Sequence, residues 1–177
     1  MRAFILTLLA AALVACGGGG GGGGGPTEPP PPQPGVVFTP QSTAGADSLF
    51  LASGAATTAN TLFLEVRANQ VVDLYGVAFD LAYPNTQLQF TRVTAGPLLG
   101  NGSVQAVASS PGSLIVGGTH LGNVPGTTGS GVVMTLEFSV LAAGSGEFRF
   151  SRNSALNSSG QPIAGVAWVA GSVTVTR

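Results

Sequence analysis

Few side chains in this 177-residue chain could do chemistry. Its only thiol is Cys16 and its only imidazole is His120, while its acids are seven and scattered. A single cysteine has no partner within the chain, so no disulfide braces the fold. His120 stands beside Gly122-Asn123 with no serine or cysteine motif for it to activate, and reads as a solvated edge residue. Glycoside cleavage would need two converging carboxylates, for which Asp73, Asp80, Glu65 and Glu137 are available. Glu65 and Glu137 read more simply as solubilising the outer faces of strands. No Asp-x-Asp-x-Asp-Gly run offers a calcium loop, and residues 153–161, though rich in oxygen, read as a polar loop. The expected chemistry is recognition rather than catalysis, with no metal and no cofactor.

The one group placed for a covalent reaction is Cys16. Met1-Arg2 forms a short positive region, residues 3–14 an apolar run too short to cross a bilayer, and Ala15 a small residue at a cleavage point. Leu13-Val14-Ala15-Cys16 resembles the lipobox of bacterial lipoproteins. That resemblance implies diacylation of the Cys16 thiol and cleavage of residues 1–15, leaving Cys16 as the new N-terminus. Gly17, where an aspartate would signal retention, resembles the outer-membrane-sorted class. Two or three acyl chains, at about 0.8 kcal/mol per buried methylene, anchor stably where one chain is marginal. The expected location is the cell envelope, with the lipid as the only membrane contact.

Residues 16–35 form a tether. The glycine run at 17–25 is a flexible coil with a root-mean-square span of roughly 15–18 Å. The proline-rich stretch at 26–34 favours polyproline II, about 3.1 Å per residue, and adds nearly 30 Å of stiffer reach. Residues 36–177 then read as one folded domain, long enough to bury roughly two thirds of the surface its unfolded chain exposes. Beyond residue 15 the chain has five arginines against seven acids and no lysine, which excludes a nucleic-acid partner.

Within the domain, apolar residues recur at every second position, the period of a half-buried strand. In 61–69, Leu62, Leu64, Val66 and Ala68 share one side. In 74–83, Tyr75, Val77, Phe79, Leu81 and Tyr83 face a core while Gly76, Ala78, Asp80 and Ala82 face outwards. A similar stripe runs through Val132, Met134, Leu136, Phe138 and Val140. Further strands are expected at 48–53, 87–94, 103–109, 113–120, 147–152 and 167–176. Turn residues separate them, among them Asn101-Gly102, Pro111-Gly112 and Ser158-Ser159-Gly160. The predicted fold class is an all-β, nine-stranded antiparallel two-sheet sandwich.

The order of these blocks resembles the cohesin domain, of the carbohydrate-binding-module-like superfamily. The residues that carry it are Asp73 through Pro84, Leu88 with Val93, Gly96-Pro97-Leu98-Leu99, Gly131 through Val140, and the closing Gly171-Ser172-Val173-Thr174-Val175. The resemblance implies a jelly-roll topology and a dockerin-like or other protein partner bound on one sheet, with polar contacts from the outward side of the third strand. This chain departs there, because Gly76 and Ala78 carry no donor or acceptor. Asp80, Arg149 and Arg152 remain as polar binding candidates. A second expectation, polysaccharide binding, follows from superfamily members that use exposed coplanar aromatics. Tyr75 and Tyr83 share the phase of core Phe79, and Trp168 in an apolar stretch reads as core. A third expectation is a structural envelope protein that assembles through its sheet edges.

Overall fold

The computed structural model describes residues 33–177, which belong to one compact unit. The signal at 1–15, Cys16 and the tether as far as residue 32 lie outside the described residues. Eleven strands follow in order: β1 Gly35–Pro40, β2 Ser48–Ser53, β3 Thr61–Leu74, β4 Gly76–Ala82, β5 Leu88–Ala95, β6 Ser103–Ser110, β7 Ser113–Thr119, β8 Thr127–Val140, β9 Gly144–Leu156, β10 Ala167–Val169 and β11 Gly171–Thr176. They form a six-stranded sheet ordered β1-β11-β9-β4-β7-β6 and a five-stranded sheet ordered β10-β2-β3-β8-β5. One 3-10 turn, Pro97–Leu99, is the sole helical element among the described residues.

The count rises from nine to eleven for two physical reasons. Segment 35–40 follows directly on the proline-rich stretch, which hides its alternation, yet it pairs with β11 along its whole length and packs Phe38 on Phe148. Segment 167–176, expected as one strand, is two strands in different sheets, with the chain crossing the sandwich at buried Ala170. That crossing also breaks the expected all-antiparallel rule. β10 runs parallel to β2, while every other ladder is antiparallel.

The core fills the space between the sheets. Leu62, Leu64 and Val66 of β3 and Leu136 and Phe138 of β8 meet Phe79 and Leu81 of β4, Leu114 and Val116 of β7, and Phe148 of β9. Each fully buried side chain of this size contributes about 1.5–3 kcal/mol by leaving water. Phe138 sits at the middle of an aromatic group with Tyr83, Phe90 and Phe148, at centroid distances of 5.2, 5.7 and 5.7 Å. Gly118 faces inward, where a Cβ would press on Met134 Cε at 2.7 Å, so glycine lets β7 lie close to β8.

Bulges explain where simple alternation fails. Between Val66 and Arg67 the ladder with β8 advances from Met134 to Val132, so β8 carries an extra residue and Val133 takes the buried side that alternation assigned to Val132. β3 continues past residue 69 through two more register shifts, with positive φ at Gln70 and Asp73, and buries Val71 and Leu74 three residues apart. Tyr75 follows that bend and is half-buried at the strand end, not in the core. Its hydroxyl donates to the Gly122 carbonyl, and its ring lies 5.6 Å from that of His120. Tyr83 is likewise half-buried, against Phe138.

Candidate functional site

The acids do not converge. Glu65 and Glu137 lie on the five-stranded sheet, where Arg67 Nη1 and Arg92 Nε respectively hold them at 2.6 Å. Asp80 belongs to the other sheet and is gripped by Arg152, whose Nε donates to Oδ2 at 2.6 Å. Asp73 joins two loops: Oδ1 accepts from the Gly126 amide at 2.9 Å and Oδ2 from the Ser158 hydroxyl at 2.9 Å. The Ser158 hydroxyl, with the Ser158 and Gly126 amides, holds this carboxyl below the usual aspartate range against the opposing cost of desolvation. His120 is half-buried and meets Thr127 Oγ1 at 3.2 Å through Nε2. The oxygen-rich stretch is partly strand, since β9 runs to Leu156. Beyond it, Asn157 Oδ1 accepts from the amides of Ser159 and Gln161 in an ordinary turn. Among the described residues no three His, Cys, Asp or Glu side chains cluster as metal ligands would.

The site with an unusual surface is the outer face of the six-stranded sheet across β6, β7, β4 and β9. Register aligns its residues in rows. Ser103, Thr119, Gly76 and Leu156 form the first, Gln105, Gly117, Ala78 and Ser154 the second, Val107, Ile115, Asp80 and Ser151 the third. The second row has almost no side-chain volume at its centre, which opens a shallow trough of about 480 Å³ over Gly76, Ala78 and Gly117. Val107 and Ile115 stand beside it 52% and 49% exposed. Val107 and Ile115 pair across the β6–β7 ladder and give the trough an apolar border.

Of the residues expected from sequence, Gly76, Ala78, Asp80 and Arg152 come together here, and their arrangement has a local cause. Between Ala78 and Asp80 the ladder with β9 skips from Ser154 to Ser151, so β9 bulges, and Arg152 takes φ 47° at the bulge. A bulge re-aims its side chain, and the Arg152 guanidinium folds over Asp80. Gly76 lies in the outward phase but is buried, with the Thr119 side chain beside it, so it forms floor rather than contact surface. Arg149 falls away from the trough, beside Ala82, and pairs with Glu147 in a separate groove bordered by Thr39 and Pro40.

Sequence reasoning did not single out Gln105, Val107, Ile115 or Gly117. The signal was present, since Val107 and Ile115 occupy the outward phase of their strands, but only the sheet order shows that β7 lies beside β4 and β6 beside β7. Among the described residues the large apolar side chains left exposed are Val, Leu and Ile, while Phe50 and Phe63 of the five-stranded sheet are half-buried. Trp168 is half-buried, packed against Phe79 and Phe150 at 5.6 and 5.1 Å.

Two sheets in this order, packed face to face with almost no helix among the described residues, define a jelly-roll sandwich. The cohesin-domain model matches residues 38–175, and the chain belongs to the cohesin-domain family. Similar solved structures include a type II cohesin–X-dockerin complex from Acetivibrio cellulolyticus, at 18% identity and TM-score 0.59, covering 68% of this chain and 93% of that one. A non-cellulosomal cohesin from the archaeon Archaeoglobus fulgidus matches at 19% and 0.57, covering 71% and 87%. Type II cohesin A11 from Bacteroides cellulosolvens matches at 16% and 0.60, covering 70% and 96%. At these identities the likeness speaks for the fold. Among curated proteins none matches the sequence.

Proposed function

We propose that this protein is a lipid-anchored, non-catalytic docking module of the cell envelope, whose cohesin domain binds a dockerin-like protein on the outer face of β6, β7, β4 and β9. The carrying observation is the uncharged trough over Gly76, Ala78 and Gly117, flanked by exposed Val107 and Ile115. Membership of the cohesin family and a solved relative in complex with an X-dockerin module support a protein as the partner. The trough accepts an apolar side chain from the partner, while the Asp80–Arg152 pair at its edge is already neutralised internally. Binding driven by such a face depends weakly on salt.

The anchor rests on the signal and cysteine at residues 1–16, and the glycine and proline tether holds the domain clear of the headgroups. Two experiments test the reading. Growth with a labelled fatty acid should tag the full chain and leave Cys16→Ala untagged, and an untagged wild type, or a tag that survives in Cys16→Ala, would contradict lipid anchoring through Cys16. Immobilised residues 33–177 should recover one saturable protein from envelope extract, and Gly117→Leu should lose it. Retention on insoluble polysaccharide, competed away by soluble sugar and with no protein recovered, would replace this reading with a glycan-binding one.

A further inference from the structure

The four edges of the two sheets are not equally protected. β10 is only three residues long, β5 carries Arg92 and a register shift between Phe90 and Arg92, and β1 is bracketed by Pro34 and Pro40. Short strands, charges, bulges and prolines are the usual defences against edge-to-edge pairing. β6 lacks charge and proline along all eight residues, and it stays in register with β7 from Ser103 to Ala108, its one register shift falling at the strand end between Ala108 and Ser110. No described strand occupies its other side. The surroundings are as neutral: between Arg92 and Glu137 the chain has no Asp, Glu, Lys or Arg.

We propose that β6 pairs antiparallel with β6 of a second copy of this chain, joining two six-stranded sheets edge to edge. Charge selects this occupant. Pairing about a two-fold axis brings two identical strands side by side, so a charge on β6 would bring a like charge near it on the copy, and β6 has none. The described domain adds little repulsion of its own, with Arg67, Arg92, Arg149, Arg152 and Arg177 against Asp47, Glu65, Asp73, Asp80, Glu137 and Glu147. With the axis perpendicular to the sheet, outward residues meet outward residues, and half-exposed Val107 gains cover from the copy. The added strand lies in the sheet plane, so the pairing extends the trough-bearing face without covering it.

Sedimentation velocity of residues 33–177 over a wide concentration range tests this, since those residues contain the whole described core. The wild type should show a reversible monomer–dimer equilibrium. Gln105→Lys, at an exposed site of β6, should weaken the dimer about tenfold or more through like-charge contact, with an unchanged melting temperature. Gln89→Lys on the β5 edge and Gly117→Leu in the trough should leave the dimer intact. A wild type that is monomeric throughout, or a dimer equally tight in Gln105→Lys, would overturn the proposal. So would a dimer lost in Gln89→Lys or Gly117→Leu, because the contact would then lie on the other edge or on the trough.

Discussion

The outer faces of the two sheets are built differently. On the five-stranded sheet, Glu65–Arg67 and Arg92–Glu137 sit among Thr94, Thr135 and Ser139, with the half-buried rings of Phe50 and Phe63 in the same outward phase. On the six-stranded sheet the positions of β4, β7 and β6 around the trough are Gly76, Ala78, Gly117, Gln105, Ile115 and Val107, and its two ion pairs, Asp80–Arg152 and Glu147–Arg149, lie at the trough's margin and beyond it on β9. Both faces belong to one sandwich and share one core, so folding alone does not account for the difference. Under the proposed function, the trough over Gly76, Ala78 and Gly117 is the surface that meets the partner.

Removing what the two faces share gives the largest effect. Phe138→Ala empties the centre of the aromatic group and should destabilise the domain by about 3–5 kcal/mol, read from urea unfolding. Filling the trough separates the faces. A Cβ at Gly117 meets nothing nearer than the Val77 carbonyl at 3.9 Å, so Gly117→Leu should keep the fold while weakening partner binding about tenfold or more. Thr94→Leu, an equivalent change on the opposite face, should leave binding untouched.

A smaller effect concerns acid. The Asp73 carboxyl has a lower pKa folded than unfolded, so its contribution to stability is complete above the unfolded value and is lost as pH falls through the folded one. Asp73→Asn should therefore flatten the loss of stability below about pH 4 in acid denaturation, with little effect on the trough. The smallest effect belongs to the charged face. Arg92 is 67% exposed, and Arg92→Ala should cost no more than about 0.5 kcal/mol by the same unfolding assay.

Alternation alone exposed most of the sandwich, because Leu62, Leu64 and Val66 of β3, Val77, Phe79 and Leu81 of β4 and Leu114 and Val116 of β7 keep strict phase against the core. It failed where an extra residue enters a ladder. The bulge at Val133 shifts which β8 residue is buried, the bends at Gln70 and Asp73 carry β3 beyond its regular part, and the crossing at Ala170 divides one apparent strand between two sheets. The site was half legible for a related reason. Gly76, Ala78 and Asp80 could be placed outward from β4 itself, but their neighbours Ile115 and Val107 become neighbours only through the order β9-β4-β7-β6. That order depends on long-range pairing, which no local pattern encodes. Arg152 was legible as outward, yet only the bulge shows why it reaches Asp80 and Arg149 does not.

The most direct test of the docking face is calorimetric titration of the recovered partner into residues 33–177 as wild type, Gly117→Leu and Thr94→Leu. Binding lost in Gly117→Leu alone is the predicted result. Binding retained in Gly117→Leu, or lost only in Thr94→Leu, would contradict the assignment and place recognition elsewhere on the sandwich.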